Sequence, residues 1–125
     1  MGNQWNDSQP IYWQLKERTI AMILDGTLAE GDALPSVRTV ASDFQLNPIT
    51  VSKAYQALVD EGLVEKRRGL GMFICDGARR QLIDSERHKF IKEEWPAMLE
   101  RITQLGLKLA ELPQQTTHQE KDSDD

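Results

Sequence analysis

A single cysteine, Cys75, stands in the 125 residues, so an internal disulfide and any cysteine-rich zinc site are excluded. Histidine is almost as scarce. His88 lies between Arg87 and Lys89, His118 falls in a polar C-terminal stretch, and neither has metal-ligand spacing. No metal and no cofactor are implied. Aromatic residues make up 6% of the chain. No apolar run approaches the ~18 residues needed to cross a bilayer, so no membrane partner is expected. The opening MGNQWNDSQP has neither a basic nor an apolar leader segment, and the expectation is a cytoplasmic protein. Also missing is a surplus of positive charge: the net charge is −5. Residues 10–77 hold seven basic against nine acidic side chains, and residues 78–125 eight against ten. Bulk charge therefore attracts no polyanion. Local field decides that question, however, and Lys66, Arg67 and Arg68 are consecutive, with Arg38 and Lys53 upstream.

Candidate catalytic groups are equally thin. Cys75 follows the apolar run Met72-Phe73-Ile74 and reads as a small packed residue rather than a nucleophile. Glu93 and Glu94 read as solvated charge. Gly69 and Gly71 match a fragment of a phosphate-cradling loop, but β-prone residues follow them where a helix start is needed. The chain is not expected to be an enzyme.

What is present is punctuation. PIYWQLKERTIAMILD (10–25) predicts a first helix, with Ser8 or Gln9 as cap. It carries two apolar stripes: Ile11, Tyr12, Leu15, Met22 and Ile23, and then Trp13, Ile20 and Leu24. In GTLAEGDALP, the segment ALP can supply a very short strand. Ser36 caps a short helix, VRTVASDF, with Val37, Val40, Ala41 and Phe44 facing inward. The break QLN leads to NPITVSKAYQALVDEG (47–62). Asn47 caps this helix, Pro48 takes its first position and Gly62 lies just past its end. Two helices about three residues apart make a helix-turn-helix. LVEKRRGLGMFIC then predicts a β-hairpin with a basic tip. The fold class is thus mainly α with a small β-hairpin wing: a winged helix-turn-helix followed by a C-terminal helical tail.

The tail keeps one apolar phase through Pro96: Ile91, Met98 and Leu105 are seven apart, with Trp95 and Ile102 interleaved. One long helix kinked at Pro96 is favoured over two separate helices. Gly106 ends it, and LKLAEL supplies a last short turn. Phe90, Ile91, Trp95, Met98, Leu99, Ile102 and Leu105 are too many apolar groups for a lone exposed helix. They are expected to pack on a second copy of the chain and on Trp13, Ile20 and Leu24 of their own. The boundaries are an N-terminal arm (1–9), the winged helix (10–77), a helical dimerisation tail (78–112) and a disordered acidic end (113–125).

In the helix 47–62, Val51, Ala54, Tyr55 and Leu58 form the inward stripe, whereas Ile49, Thr50, Ser52, Lys53 and Gln56 face outward. Small hydroxyls, one flexible cation, an amide and a branched apolar group suit base edges and thymine methyls in a major groove. Such a face is also compatible with plain exposure. Arg38 suits a phosphate or guanine, or alternatively an ion pair with Asp43 or Asp60. Arg67, Arg68 and Gly69 at the hairpin tip suit a minor groove. The full candidate DNA-contact set is Ser36, Arg38, Asn47, Ile49, Thr50, Ser52, Lys53, Tyr55, Gln56, Arg67, Arg68 and Gly69.

The stretches GDALPSVRTVA, NPITVSKAYQALVDEGLVE and RRGLGMFI together resemble the GntR-family winged-helix domain. That resemblance implies a bacterial transcription regulator that binds operator DNA as a homodimer. Arg38, Thr50, Ser52 and the tip Arg67-Arg68-Gly69 fall where members of the family place DNA contacts. Some members carry further arginines early in the recognition helix, where this chain has Pro48, Ile49 and Ser52, so base-by-base specificity does not transfer. The short tail, including EEWPAMLERITQLGL, is similar to the YtrA subfamily. This implies dimerisation through tail helices and, often, control of transporter genes. A compact reader with no evident activation surface is expected to repress from an inverted-repeat operator. No small-molecule effector is named by the residues. The competing reading is a winged helix that binds protein instead of DNA.

Overall fold

The computed structural model describes residues 5–114. The first helix, α1 (Ile11–Leu24), starts from Pro10, whose extended backbone (ψ 145°) sets the entry angle without a side-chain cap. Ser8 and Gln9 do not cap it. The Ser8 hydroxyl instead donates to Asn6 Oδ1 at 2.6 Å, while the Gln14 amide donates to the carbonyls of Asn6 and Gln9 at 2.8 and 2.7 Å. Part of the N-terminal arm is thus tied down by its own backbone.

The helix α2 (Val37–Phe44) is capped as its sequence predicts: Ser36 Oγ accepts the Thr39 N–H at 3.0 Å. Val40 and Ala41 are buried, whereas Phe44 stays at the surface with its ring edge-on to Trp5. Three residues, Gln45 to Asn47, then turn the chain. Gln45 adopts a left-handed conformation (φ 55°), and the Leu46 N–H reaches back to the Ala41 carbonyl at 2.9 Å. Glycine usually fills such a helix-ending position. Here glutamine does so, and no sequence signal marked it.

The next helix, α3 (Pro48–Asp60), is capped by Asn47, whose Oδ1 accepts the Ile49 N–H at 2.8 Å. Its inward stripe holds: Val51, Ala54, Tyr55 and Leu58 are buried. At the far end Gly62 takes φ 78°, allowing the Leu63 N–H to close on the Leu58 carbonyl at 3.0 Å. Val51, Leu58, Leu63 and Ile74 lose essentially all contact with water. At about 1.5–3 kcal/mol for each large side chain, this cluster is the chief stabilising term.

Strands β1 (Val64–Arg67) and β2 (Gly71–Ile74) pair antiparallel, with Val64 opposite Ile74 and Lys66 opposite Met72. At the tip the Leu70 N–H closes on the Arg67 carbonyl at 2.8 Å, and Gly69 sits third in the turn with φ 77°. A positive φ at that position is the type II pattern, which glycine adopts without strain. The ALP segment supplies its strand as a single bridge, Ala33 to Phe73, and Leu34 N–H bonds to the Met72 carbonyl at 2.8 Å. The otherwise open edge of β2 is therefore covered.

The chain divides into two compact units, Met1–Ser85 and Glu86–Asp125. The start of α4 (Ala78–Lys89) belongs to the first: Ala78 and Leu82 are in its core, and the Arg79 guanidinium donates to the Leu24 carbonyl at 2.9 Å. The break thus falls several residues beyond the boundary at 77 drawn from sequence.

Within the second unit, Phe90–Glu94 form a π-helical turn leading directly into α5 (Trp95–Gln104). Helical dihedrals persist at Trp95 (φ −66°, ψ −44°), so the backbone stays helical across Pro96. The cause is the proline's missing N–H and its crowding of the preceding turn, which the wider turn accommodates. Gly106 (φ 73°) ends α5, and Leu109–Glu111 make the short last turn. Most of the acidic end assigned to 113–125 lies outside the described residues.

Candidate nucleic-acid interface

On the first unit, α3, the start of α2 and the hairpin enclose a groove of about 490 Å³. Ser52 and Gln56 line it from α3, Ser36 from the α2 cap, and Lys66, Arg67 and Gly69 from the hairpin. Arg38, Asn47, Ile49, Thr50, Lys53 and Arg68 do not line the groove. They lie outside it on the same three elements and their caps.

Several candidate side chains already have partners. Ser36 Oγ accepts the α2 cap bond and also donates to Thr39 Oγ1 at 2.9 Å. Asn47 Oδ1 is committed to its own helix start, leaving its amide nitrogen outward. The Gln56 amide donates to Asp60 Oδ1 at 2.9 Å. Lys53 Nζ lies 4.4 Å from the centre of the Tyr12 ring, a cation–π contact that draws the ammonium towards α1. On the hairpin, Arg67 Nε donates to Glu65 Oε2 at 2.8 Å and its guanidinium covers the Phe73 ring at 4.2 Å.

Arg38, Lys66 and Arg68 have neither an ion pair nor a hydrogen bond among the described residues. The alternative pairing of Arg38 with Asp43 or Asp60 does not form. The outward face of α3 is led by three side chains with no polar partner among the described residues: Ile49, 73% exposed, with Thr50 and Ser52 beside it.

Tyr55 corrects the candidate list. Its side chain is 3% exposed, and its hydroxyl donates to the Pro35 carbonyl at 2.7 Å. Burial pushes the phenol up to about 12. Tyr55 is a core residue that joins α3 to the segment before α2, and its ring is not presented to a partner. The candidate contact set left out Lys66, although the basic run Lys66-Arg67-Arg68 is plain in the sequence, and it left out Leu70. Lys66 pairs with Met72, and both line the groove. Leu70, 71% exposed at the hairpin tip, is an apolar residue where solvent alone favours a polar one.

Cys75 is partly covered, and its thiol is pushed above the ordinary value by burial, with Glu65 and Asp76 adding to the effect. A protonated thiol is a poor nucleophile, in line with a packing role. On the second unit, Phe90, Ile91, Met98, Leu99 and Leu105 are exposed and Trp95 is half-covered. Ile102 is buried within the single chain, so it offers little area to a second copy. No described helix is long and apolar enough to cross a membrane.

Residues 11–74 match the family described as bacterial regulatory proteins, gntR family. The HTH-type transcriptional repressor YtrA of Bacillus subtilis (strain 168) is 37% identical over 105 residues, which cover 84% of this chain and 80% of the relative. Among solved structures, a transcriptional regulator from Oenococcus oeni superposes with a TM-score of 0.71 at 29% identity, covering 86% of this chain and 88% of that one. A structure of AraR(DBD) in complex with operator ORX1 superposes with a TM-score of 0.53 at 27% identity, over 60% of this chain and 90% of that chain.

Proposed function

The chain belongs to the GntR family of bacterial regulatory proteins, with a relative in YtrA, and from that premise we propose how it works as a regulator. It is a DNA-binding transcription regulator, as its relatives are, and not an enzyme. Its operator is an inverted repeat bound by a homodimer, with the two α3 helices in successive major grooves about one helical turn apart. Binding there occludes a promoter, so the protein represses, and transporter genes are its target class. The YtrA relative, a repressor by name, supports the sign of control. The AraR complex with an operator supports duplex DNA as the partner. A regulator of this kind works in the cytoplasm.

The single observation that carries the reading is placement: groups without a partner among the described residues stand on α3, the start of α2 and the hairpin, the three elements that frame the groove. Arg38, Lys66 and Arg68 are cations with no internal neutralisation, beside the uncommitted hydroxyls of Thr50 and Ser52. Gly69 and Leu70 at the tip enter the minor groove, Arg38 grips a guanine or a phosphate, and α3 reads the major groove through Ile49, Thr50 and Ser52. Phe90, Ile91, Met98, Leu99 and Leu105, with Trp95, form the dimer face. Together they hold apolar area that stays in water in a monomer.

Arg38→Ala tests the DNA contact. Lost contact of about 1–3 kcal/mol in each half-site raises the dissociation constant of an operator fragment about 5- to 150-fold per half-site, and the dimer loses both. The fragment is taken by footprinting upstream of the protein's own gene, and the circular dichroism spectrum and melting temperature stay unchanged. Undiminished operator affinity in a folded variant refutes the role, and salt-independent binding favours a protein partner over DNA.

A further inference from the structure

Behind the groove lies a second cavity, of about 160 Å³. Its floor is Leu15, Thr19, Val40 and Tyr55, all buried. Two hydroxyls reach it, and both protons are already used. Thr19 Oγ1 donates to the Leu15 carbonyl at 3.0 Å and Tyr55 to the Pro35 carbonyl at 2.7 Å. The cavity therefore offers a ligand no free side-chain hydroxyl donor; the charged group that lines it is the Arg18 guanidinium, held over the Trp5 ring at its margin, so the buried floor itself gives a charged or strongly polar guest nothing to replace its hydration. Its size matches the engineered apolar cavity of about 150 Å³ that stays dry and takes up benzene. At the margin Trp5 stands edge-on to Phe44, with ring centres 6.1 Å apart, and the Arg18 guanidinium lies 4.1 Å from the Trp5 ring centre. A cover of two aromatic rings from separate segments can part and re-form without breaking a helix.

We propose that this cavity binds a small, uncharged, apolar ring, and that such a molecule is the chemical class of an effector. The connection to the DNA-facing side is direct: Leu34, Pro35 and Tyr55 line both the cavity and the groove. The Tyr55–Pro35 hydrogen bond stands between them, joining α3 to the residue that precedes the α2 cap. A ring seated against Tyr55 shifts the α3–α2 spacing, and with it the placement of Thr50 and Ser52 relative to Arg38. The binding step is independent of the DNA reading, whereas the effector role rests on it.

The test uses the full chain with benzene as the probe. Methyl NMR of Leu15, Leu28 and Val40 is expected to show saturable shifts, with Leu63 and Ile74 unmoved. Val40→Phe fills the cavity and abolishes the shifts. Leu28→Phe, at a half-buried position lining the same cavity, does so with less risk to the fold. Saturating benzene is expected to change operator affinity about fivefold or more in the wild-type chain and in neither filled variant. Absence of saturable shifts, or their persistence in a folded filled variant, overturns the site. Shifts with unaltered operator affinity overturn the effector role. A chain that binds no operator even without benzene counts against the regulator reading, and the NMR result still decides the cavity.

Discussion

Replacing Arg68 by alanine is the sharpest way to ask whether the hairpin meets a phosphate backbone. Arg68 is the second residue of the turn closed by the Leu70-to-Arg67 hydrogen bond, exposed and without an internal partner. Its removal changes no packing and leaves no buried group unsatisfied, so stability should not move. Each phosphate neutralised on B-form DNA contributes about 0.9 to the slope of log affinity against log salt concentration. A dimer loses two such contacts, which makes the slope shallower by about 1.8. Between 50 and 200 mM salt the gap between wild type and variant should then narrow by about tenfold. Fluorescence anisotropy with a labelled operator fragment at several salt concentrations measures this directly. Glu65→Gln provides the opposite sign. The Glu65 carboxylate sits 2.8 Å from Arg67 and stays near the duplex whether or not Arg67 turns away from it. The exposed pair itself is worth under about 1 kcal/mol, so the variant acts by removing a negative charge, and affinity at low salt should rise. An Arg68→Ala slope equal to that of wild type, or weaker binding by Glu65→Gln, refutes the placement of the hairpin on DNA.

Tyr55→Phe removes the 2.7 Å hydrogen bond to Pro35 and should lower stability by about 1 kcal/mol in urea titration. The same residue sets an alkaline limb. Its phenol titrates at about 12 when folded and near 10 when unfolded. The unfolded chain therefore loses its proton first, and stability fully present below pH ~10 falls as pH rises towards ~12, by up to about 1.4 kcal/mol per pH unit. The phenylalanine variant should be flatter than wild type over that window, and equal slopes would remove Tyr55 as the cause. Met98→Glu places a charge on the exposed face of α5 and should yield monomers in sedimentation velocity together with weaker operator binding. A variant that still sediments as a dimer relocates the interface. Ile102 is unsuited to that experiment, because its burial in the single chain makes any charge there a folding defect.

Punctuation residues made most of the fold legible. Ser36 and Asn47 each announce a helix start by a short side chain that can take a backbone N–H, and both bonds are present. Pro48, Gly62 and Gly106 act at the positions where their backbone geometry is required. Features without a residue-type signal stayed hidden. Gln45 turns left-handed at the end of α2, where the Leu46 N–H returns to the Ala41 carbonyl and glycine would have been the usual signal. The π-helical turn before Pro96 is one of two ways to absorb a proline, and the sequence does not choose between them. At the site, residue identity was readable but commitment was not. Whether Lys53 leans on Tyr12, Gln56 on Asp60 or Arg67 on Glu65 depends on rotamers and on neighbours from other elements. Tyr55 was legible from its register in the inward stripe of α3, and its amphipathic type alone carried it into the contact set as well.

These commitments separate affinity from sequence reading in the proposed complex. The exposed face of α3 brings almost no uncommitted charge, since Lys53 is drawn to Tyr12 and the rest are Ile49, Thr50 and Ser52. Nonspecific attraction must then come from Arg38 at the start of α2 and from Lys66 and Arg68 on the hairpin, none of which belongs to the reading helix. Substitutions at Ile49 or Thr50 should therefore change which operator is preferred while leaving the salt slope intact. Substitutions at the hairpin cations should do the reverse. A chain with a net charge of −5 can bind a polyanion on these terms, because in the proposed complex the duplex meets a few unneutralised cations on α2 and the hairpin and does not sample the acidic remainder.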